Sequence, residues 1–224
     1  LANLGYCMAV EKLLGLETPE RCQWLRVLSA ELARVADHLT RCGAACLEMM
    51  AMTPFIYGIE AREMVWDLCE MLCGARLTSN YIRIGGVKHP MPKDFPRVCK
   101  SHIAKIRGLL DDFDSVVTSN RIFVDRLKGT GTISKEECIR YAITGPLLRA
   151  AGVPLDVRKA EPYLVYDQID FDVPIGEVGD NYDRYLVCVE EMHQSLRIVE
   201  QYLERLEDLG EGPGNVADTR ERAP

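Results

Sequence analysis

Two long segments of this chain repeat apolar residues in alternating steps of three and four, and this pattern restricts the fold more than any other feature. The first carries Leu25, Leu28, Leu32, Val35, Leu39, Cys42 and Cys46. The second carries Tyr182, Tyr185, Val189, Met192, Leu196, Val199, Leu203 and Leu206. Such spacing keeps one stripe of a helix facing a partner helix, so both stripes must be covered by other helices. The chain therefore reads as mainly α, a multi-helix antiparallel bundle.

The remaining elements follow from breaks and caps. Asn3–Leu14 reads as a first helix, and Glu17-Thr18-Pro19 as a restart with Thr18 as cap and Pro19 at the first helical position. The second helix runs from Arg21 to near Met50. Met52-Thr53-Pro54 breaks it, because a residue before proline is pushed away from helix, and a third helix covers Phe55–Arg76. Its apolar residues wrap most of the circumference, which predicts a buried helix. A fourth helix covers Arg97–Thr118. Leu127–Ile133 is a Gly-rich turn, Ser134 with Glu137 predicts a capping box, and the last helix spans Asn181–Asp208. Residues 78–96 and 144–180 are irregular, the latter a long insert of the kind that is functional or packs on a partner. Residues 1–208 form the expected helical core, and 209–224 a linker or disordered tail.

Of the 224 residues, 47% are hydrophobic and 27% charged, with a net charge of −7 and a pI near 5.2. No long basic run exists, which argues against nucleic acid as a partner. No apolar stretch is long enough to span a bilayer. The segment from Leu1 to Leu16 lacks a basic start and carries Glu11 and Lys12, so it reads as a helix cut from something upstream rather than a signal peptide. The nine cysteines are odd in number, and without an export signal they read as free thiols in a reducing cytoplasm.

Few residues carry chemistry by pattern alone. Cys42/Cys46 and Cys69/Cys73 each share a helix face and could hold zinc or an iron–sulfur cluster if their helices met. Cys42 and Cys46 lie on the apolar stripe itself, so the preferred reading is core packing and no metal. His38 reads as a satisfied helix histidine, His89 as a loop residue, and His102 and His193 as surface residues. Glu48 stands out, a carboxylate within Cys46-Leu47-Glu48-Met49-Met50-Ala51-Met52. It is either partly desolvated and able to exchange a proton near neutral pH, or a solvated helix-end residue. No nucleophile elbow, phosphate loop or paired-histidine metal motif is present.

Several collinear runs resemble the D subunit of respiratory complex I, the large quinone-site subunit related to nickel–iron hydrogenase large subunits. They include Leu4-Gly5-Tyr6-Cys7-Met8-Ala9-Val10-Glu11-Lys12, Arg26-Val27-Leu28, Glu31-Leu32-Ala33-Arg34 with His38, and Ala51-Met52-Thr53-Pro54-Phe55. Further on stand Gly74-Ala75-Arg76, Asn80-Tyr81-Ile82-Arg83-Ile84-Gly85-Gly86-Val87, Leu148-Arg149-Ala150-Ala151-Gly152-Val153-Pro154, Asp156-Val157-Arg158-Lys159 and Glu161-Pro162-Tyr163. Phe171-Asp172-Val173-Pro174-Ile175-Gly176, Gly179-Asp180-Asn181-Tyr182-Asp183-Arg184-Tyr185-Leu186 and Glu190-Glu191-Met192 complete the match. The runs cover about residues 3–206, and the chain resembles a piece of that protein lacking both ends.

The resemblance implies a helical core packed on the B subunit, which carries the terminal iron–sulfur cluster, with the quinone bound between the two. It implies other peripheral-arm and membrane-arm subunits as partners, quinone as substrate, and no nicotinamide, flavin or metal on this chain. It implies proton-translocating NADH:quinone oxidoreductase activity at the level of the complex, and a peripheral place on the cytoplasmic face of the plasma membrane. The family's head-group histidine and tyrosine would lie upstream of Tyr6. A family carboxylate, normally aspartate in an Asp-Leu-Gly triplet, aligns with Glu48, where this chain reads Glu48-Met49-Met50. Thr40, Ala44 and Phe55 align as neighbouring pocket positions, and the spacing 40, 44, 48 puts three of the four on one helix face. Two alternatives remain at this point: the large subunit of a hydrogenase-like membrane complex, and a non-catalytic bridging module.

Overall fold

The computed structural model describes residues 2–209 and Asn215. Nine α-helices, two two-residue strands and a 3-10 turn are present among the described residues: α1 (Ala2–Leu14), α2 (Glu20–Glu48), α3 (Met52–Cys73), β1 (Ile82–Arg83), β2 (Gly86–Val87), α4 (Phe95–Val117), α5 (Arg121–Leu127), α6 (Lys135–Arg140), α7 (Pro146–Ala150), α8 (Val157–Ala160) and α9 (Asn181–Leu209), with the 3-10 turn at Tyr166–Gln168. The expected tail falls almost wholly outside the described residues.

The two stripes meet as their spacing predicts. Helix α2 packs on α3 and α9, and α3 also packs on α4. Leu25, Leu28, Leu32, Val35 and Leu39 of α2 share one core with Val65 and Leu68 of α3, Ile103 and Ile106 of α4, and Met192, Leu196 and Val199 of α9. Burying a Leu or Val side chain contributes about 1.5–3 kcal/mol, so this shared core is the main source of cohesion. The two crossing helices α2 and α3 approach closely. A Cβ on Gly58 would sit 3.3 Å from the Leu39 carbonyl oxygen, a tight contact that would push the two backbones a few tenths of an ångström apart.

Some expectations need correction. Thr18 does not cap α2: Pro19 takes the cap position without a side-chain bond, and the Thr18 carbonyl accepts from Gln23 Nε2 at 3.1 Å. Helix α3 starts at Met52 rather than Phe55, because Pro54 falls in the first turn, where the missing N–H had no helical partner to lose. Helix α3 is not buried all round. Its Glu63, Asp67 and Glu70 form a solvent-facing row that Arg76 gathers at 2.6, 2.6 and 2.9 Å. Helix α5 adds an element between the fourth helix and the Gly-rich turn, where Asn120 caps it by accepting from the Ile122 and Phe123 amides. The capping box at Ser134 forms, with both reciprocal bonds present.

Within 78–96, otherwise irregular as expected up to the start of α4, the chain forms the β1–β2 hairpin, with Ile82 paired to Val87 and Arg83 to Gly86. It is tied to the bundle from beneath. Arg26 of α2, fully buried, forks onto Glu11 of α1 at 2.8 and 2.5 Å. The same guanidinium donates to the Arg83 carbonyl at 2.8 Å and the Gly86 carbonyl at 3.2 Å. The insert 144–180 carries α7, α8 and the 3-10 turn and is otherwise irregular. It folds back onto the α2–α9 seam, where it supplies charged side chains.

Candidate functional site

The four residues singled out from sequence lie around the corner between α2 and α3, and the local chemistry explains that corner. Helix α2 ends in a pair of nested bonds. The Ala51 amide donates to the Cys46 carbonyl at 2.9 Å, and the Met50 amide to the Leu47 carbonyl at 2.9 Å. This pattern satisfies carbonyls the helix end leaves open and requires a left-handed residue between. Met50 takes that role with φ of 64°. At the end of α1 the same two bonds form from Leu16 to Glu11 and Gly15 to Lys12, and there a glycine holds the left-handed position with φ of 64°.

Thr40, Ala44 and Glu48 share one exposed face of α2. The Thr40 hydroxyl donates to the Ala36 carbonyl at 2.8 Å and accepts from Arg62 Nη1 at 3.1 Å. Arg62 in turn lies 4.1 Å from the Trp66 ring centre. Phe55 is half-buried, and its ring would lie 3.5 Å from a Cβ on Gly43, so it is clamped against the α2 backbone. Glu48 is exposed, so the desolvated reading of this carboxylate does not hold in the chain by itself. A helix-end position one residue before the cap gives its side chain nothing to be buried against. Beside it, Met49–Pro54, Val116, Val117, Asn120, Ile122 and Phe123 line a cleft of about 500 Å³. Most of those walls are apolar, and Met50 and Ile122 stand out from them at 89% and 70% exposure.

The inner face of α2 carries a polar constellation that sequence reasoning missed. Glu31 is completely buried. It accepts from Tyr166 Oη at 2.5 Å, Ser195 Oγ at 2.7 Å, Arg158 Nη1 at 3.1 Å and Arg34 Nε at 3.2 Å. Arg158 also reaches Asp156 at 2.7 Å. Two turns along α2 from Glu31, His38 Nε2 meets Glu191 at 2.7 Å, and Arg149 meets the other Glu191 oxygen at 2.5 Å. Burial pushes these carboxyls up, but their partners win. Arg34 and Arg158 hold Glu31 below the usual carboxylate range, His38 and Arg149 hold Glu191 there, and Arg158 does the same for Asp156. Three carboxylates thus face three guanidiniums and a histidine, the matched arrangement that buried charge requires.

The signal was present in the sequence. Glu31 and Glu191 fall one residue short of Leu32 and Met192, inside the apolar stripes, and Glu31, Arg34 and His38 are spaced to share a face. His38, expected as a satisfied helix histidine, is satisfied only at Nε2, by Glu191; its buried Nδ1 has no partner. His102 and His193 are half-buried rather than on the surface, and His102 Nδ1 lies 3.0 Å from the Val98 carbonyl. Among the described residues, no three His, Cys, Asp or Glu side chains converge where a metal could be held. No helix among them is long and apolar enough to cross a membrane.

Comparison with known proteins places this architecture. Residues 48–224 match the family described as "Respiratory-chain NADH dehydrogenase, 49 Kd subunit". The D subunit of NADH-quinone oxidoreductase from Myxococcus xanthus is 51% identical over 223 residues, 99% of this chain and 53% of the relative. The first of the numbered D subunits of NADH-quinone oxidoreductase from Anaeromyxobacter dehalogenans is 50% identical over 96% of this chain and 49% of its own length. The D subunit from Bacillus anthracis is 45% identical over 93% of this chain and 57% of its own length. The chain thus spans about half the length of these curated relatives. With its mainly helical fold, the match over 48–224 and identities near one half, the chain belongs to the 49 kDa subunit family of the respiratory-chain NADH dehydrogenase.

Proposed function

We propose that this chain is part of a subunit of proton-translocating NADH:quinone oxidoreductase and forms one wall of its quinone-reduction site. The observation that carries this reading is the α2–α3 corner. A carboxylate without a hydrogen-bond or ion-pair partner among the described residues stands at the end of an exposed face, beside an apolar cleft of about 500 Å³. A quinone head group needs apolar walls and a proton source, since reduction to the quinol takes up two electrons and two protons.

In this reading Glu48 orients or recharges the proton donor, and Thr40, Ala44 and Phe55 shape the wall. Docking of the B subunit over the corner would cover Glu48 and exclude water, which strengthens every electrostatic interaction there. The electrons would arrive from the iron–sulfur cluster of that neighbour, and this chain would hold no redox group of its own. The assembly would sit as a peripheral arm on the cytoplasmic face of the plasma membrane, joined to membrane-arm subunits that carry the protons.

The test is Glu48→Gln in the complete complex. Quinone reduction should fall by about 10²-fold, the scale of a lost proton-transfer group, while NADH-to-ferricyanide transfer stays intact. Equal loss of both activities would point to failed assembly and favour a bridging role for this surface.

A further inference from the structure

Helix α4 packs on α3 and α9 with its inner face, and its outer face carries charge in the reverse of the order a helix favours. Aligned peptide dipoles leave the N-terminal end of a helix positive and the C-terminal end negative, so acids stabilise the first turn and bases the last. In α4 the first turn holds no acid and the last no base. Lys93 stands just before the helix, Arg97 in its first turn, and Lys100 and Lys105 on the turns that follow, whereas Asp111, Asp112 and Asp114 stand toward its end. Six lysines and arginines fall between positions 88 and 107 against one acid, Asp94, in a chain whose net charge is −7. Asp94 sits at the cap position without a side-chain bond to the helix.

Two of the six are engaged within the chain: Lys88 donates to the Cys73 carbonyl at 3.2 Å, and Arg107 pairs with Glu200 at 2.8 Å. Lys93, Arg97, Lys100 and Lys105 are exposed and have no hydrogen-bond or ion-pair partner among the described residues. Along the same face run Ser101, Ala104 and Gly108, all exposed and at helical spacing, so they form a shallow strip between the charges. A Cβ on Gly108 would meet nothing within 4 Å. No neighbour in this chain therefore requires glycine there, although glycine weakens a helix interior relative to alanine. Small side chains at a contact let a second helix come close.

We propose that this face of α4 is the docking surface for an acidic helix of a neighbouring subunit, whose carboxylates lie over Lys93, Arg97, Lys100 and Lys105 and whose backbone comes closest at Gly108. This docking needs a multi-subunit assembly, as in the reading above, but not the quinone wall. Asp111 and Asp112 repel acids beyond Gly108, so the partner's acids end there and its direction along α4 is fixed; setting register is what charge does best at an interface. A lipid surface fits less well. Among the described residues, no large apolar side chain between Ile84 and Val116 is exposed, whereas a helix that binds in the headgroup layer sets apolar side chains into it.

The experiment treats the assembled complex with a carbodiimide, which joins an amine directly to a carboxylate, and maps the cross-linked peptides. Lys93, Lys100 or Lys105 joined to an aspartate or glutamate of another subunit is expected, with less of the product at high salt. Gly108→Leu should raise the unfolding midpoint of the full-length subunit, because a good helix former enters open space, yet lower the yield of assembled complex. Arg97→Glu combined with Lys100→Glu should lower that yield at least about tenfold without lowering the midpoint, since both changes suit the helix dipole; a merely structural role would lower the midpoint. Assembly unchanged by both variants would overturn the proposal. So would lysines that form no such cross-link and are shielded from acetylation only while anionic phospholipid vesicles are present, which would assign the face to lipid. Glu48→Gln should leave the cross-link in place, so failure of the quinone-site reading is separately visible.

Discussion

Helix α2 shows two opposite treatments of a glutamate seventeen residues apart. Glu31 faces inward and is surrounded by four donors. Glu48 faces outward at the helix end, with none among the described residues. A buried charge can persist only if its partners replace the water it has lost, so the seam is closed and self-sufficient. The corner is the reverse: it keeps an acid, a left-handed methionine and an apolar cleft open to whatever docks there. Comparing the two separates what holds the chain together from what it presents.

The comparison predicts that mutations at the seam will cost stability and mutations at the corner will cost activity. The largest effect should come from Glu31→Ala, which leaves Arg34, Arg158, Tyr166 and Ser195 without their common acceptor. Removing one partner of a buried ion pair costs about 3–5 kcal/mol. In the full-length protein this should appear as a lower denaturant midpoint and a smaller yield of assembled complex. A midpoint unchanged from the parent would mean that water already reaches the seam. At Glu48 the same kind of substitution should move stability by no more than about 0.5 kcal/mol, so the loss of quinone reduction proposed above would arise without unfolding.

Acid should expose the same asymmetry. Glu31, Glu191 and Asp156 are each held below the ordinary carboxylate range in the folded chain by their arginine and histidine partners. Below about pH 4 the unfolded chain therefore binds protons that the folded chain still refuses. The stabilisation is complete above that range and declines as pH falls through the folded values. Unfolding midpoints from pH 7 to pH 3 should show this decline, and Glu191→Gln should reduce its slope. An identical slope in that variant would assign acid sensitivity to other carboxylates.

How much of this was legible from sequence differs between the two regions. The alternating stripes on α2 and α9 were readable because their period is a local property and each stripe needs only another helix. The spacing of 40, 44 and 48 also predicted a shared face, which the structure shows. The exposure of Glu48 was not readable, because it depends on where the helix stops relative to its neighbours. The seam escaped for a related reason. Arg149, Asp156, Arg158 and Tyr166 come from an insert without periodicity, and the partners of Arg149, Arg158 and Tyr166 on α2 and α9 lie between 42 and 135 residues away in sequence. Only the oddity of Glu31 and Glu191 inside apolar stripes pointed to them, and a charge in a stripe does not name its partner.

The smallest predicted effect sharpens the comparison at the corner itself. Gly15 and Met50 close the same pair of nested bonds at the ends of α1 and α2, both with φ of 64°. A side chain in the left-handed region costs roughly 1–2 kcal/mol, whereas glycine loses only about 0.5–1 kcal/mol in chain entropy. Met50 is almost wholly exposed, so truncating it removes little packing within the chain. Met50→Gly should therefore raise stability by about 0.5–1 kcal/mol, and Gly15→Ala, with open space around its new Cβ, should lower it by about 1 kcal/mol. Denaturant midpoints of the two variants should move in opposite directions. If Met50→Gly gains stability but slows quinone reduction, the methionine side chain is part of the wall beside Glu48. If it gains stability at full activity, the turn serves only to place Glu48, and the strain at Met50 contributes nothing to the reaction.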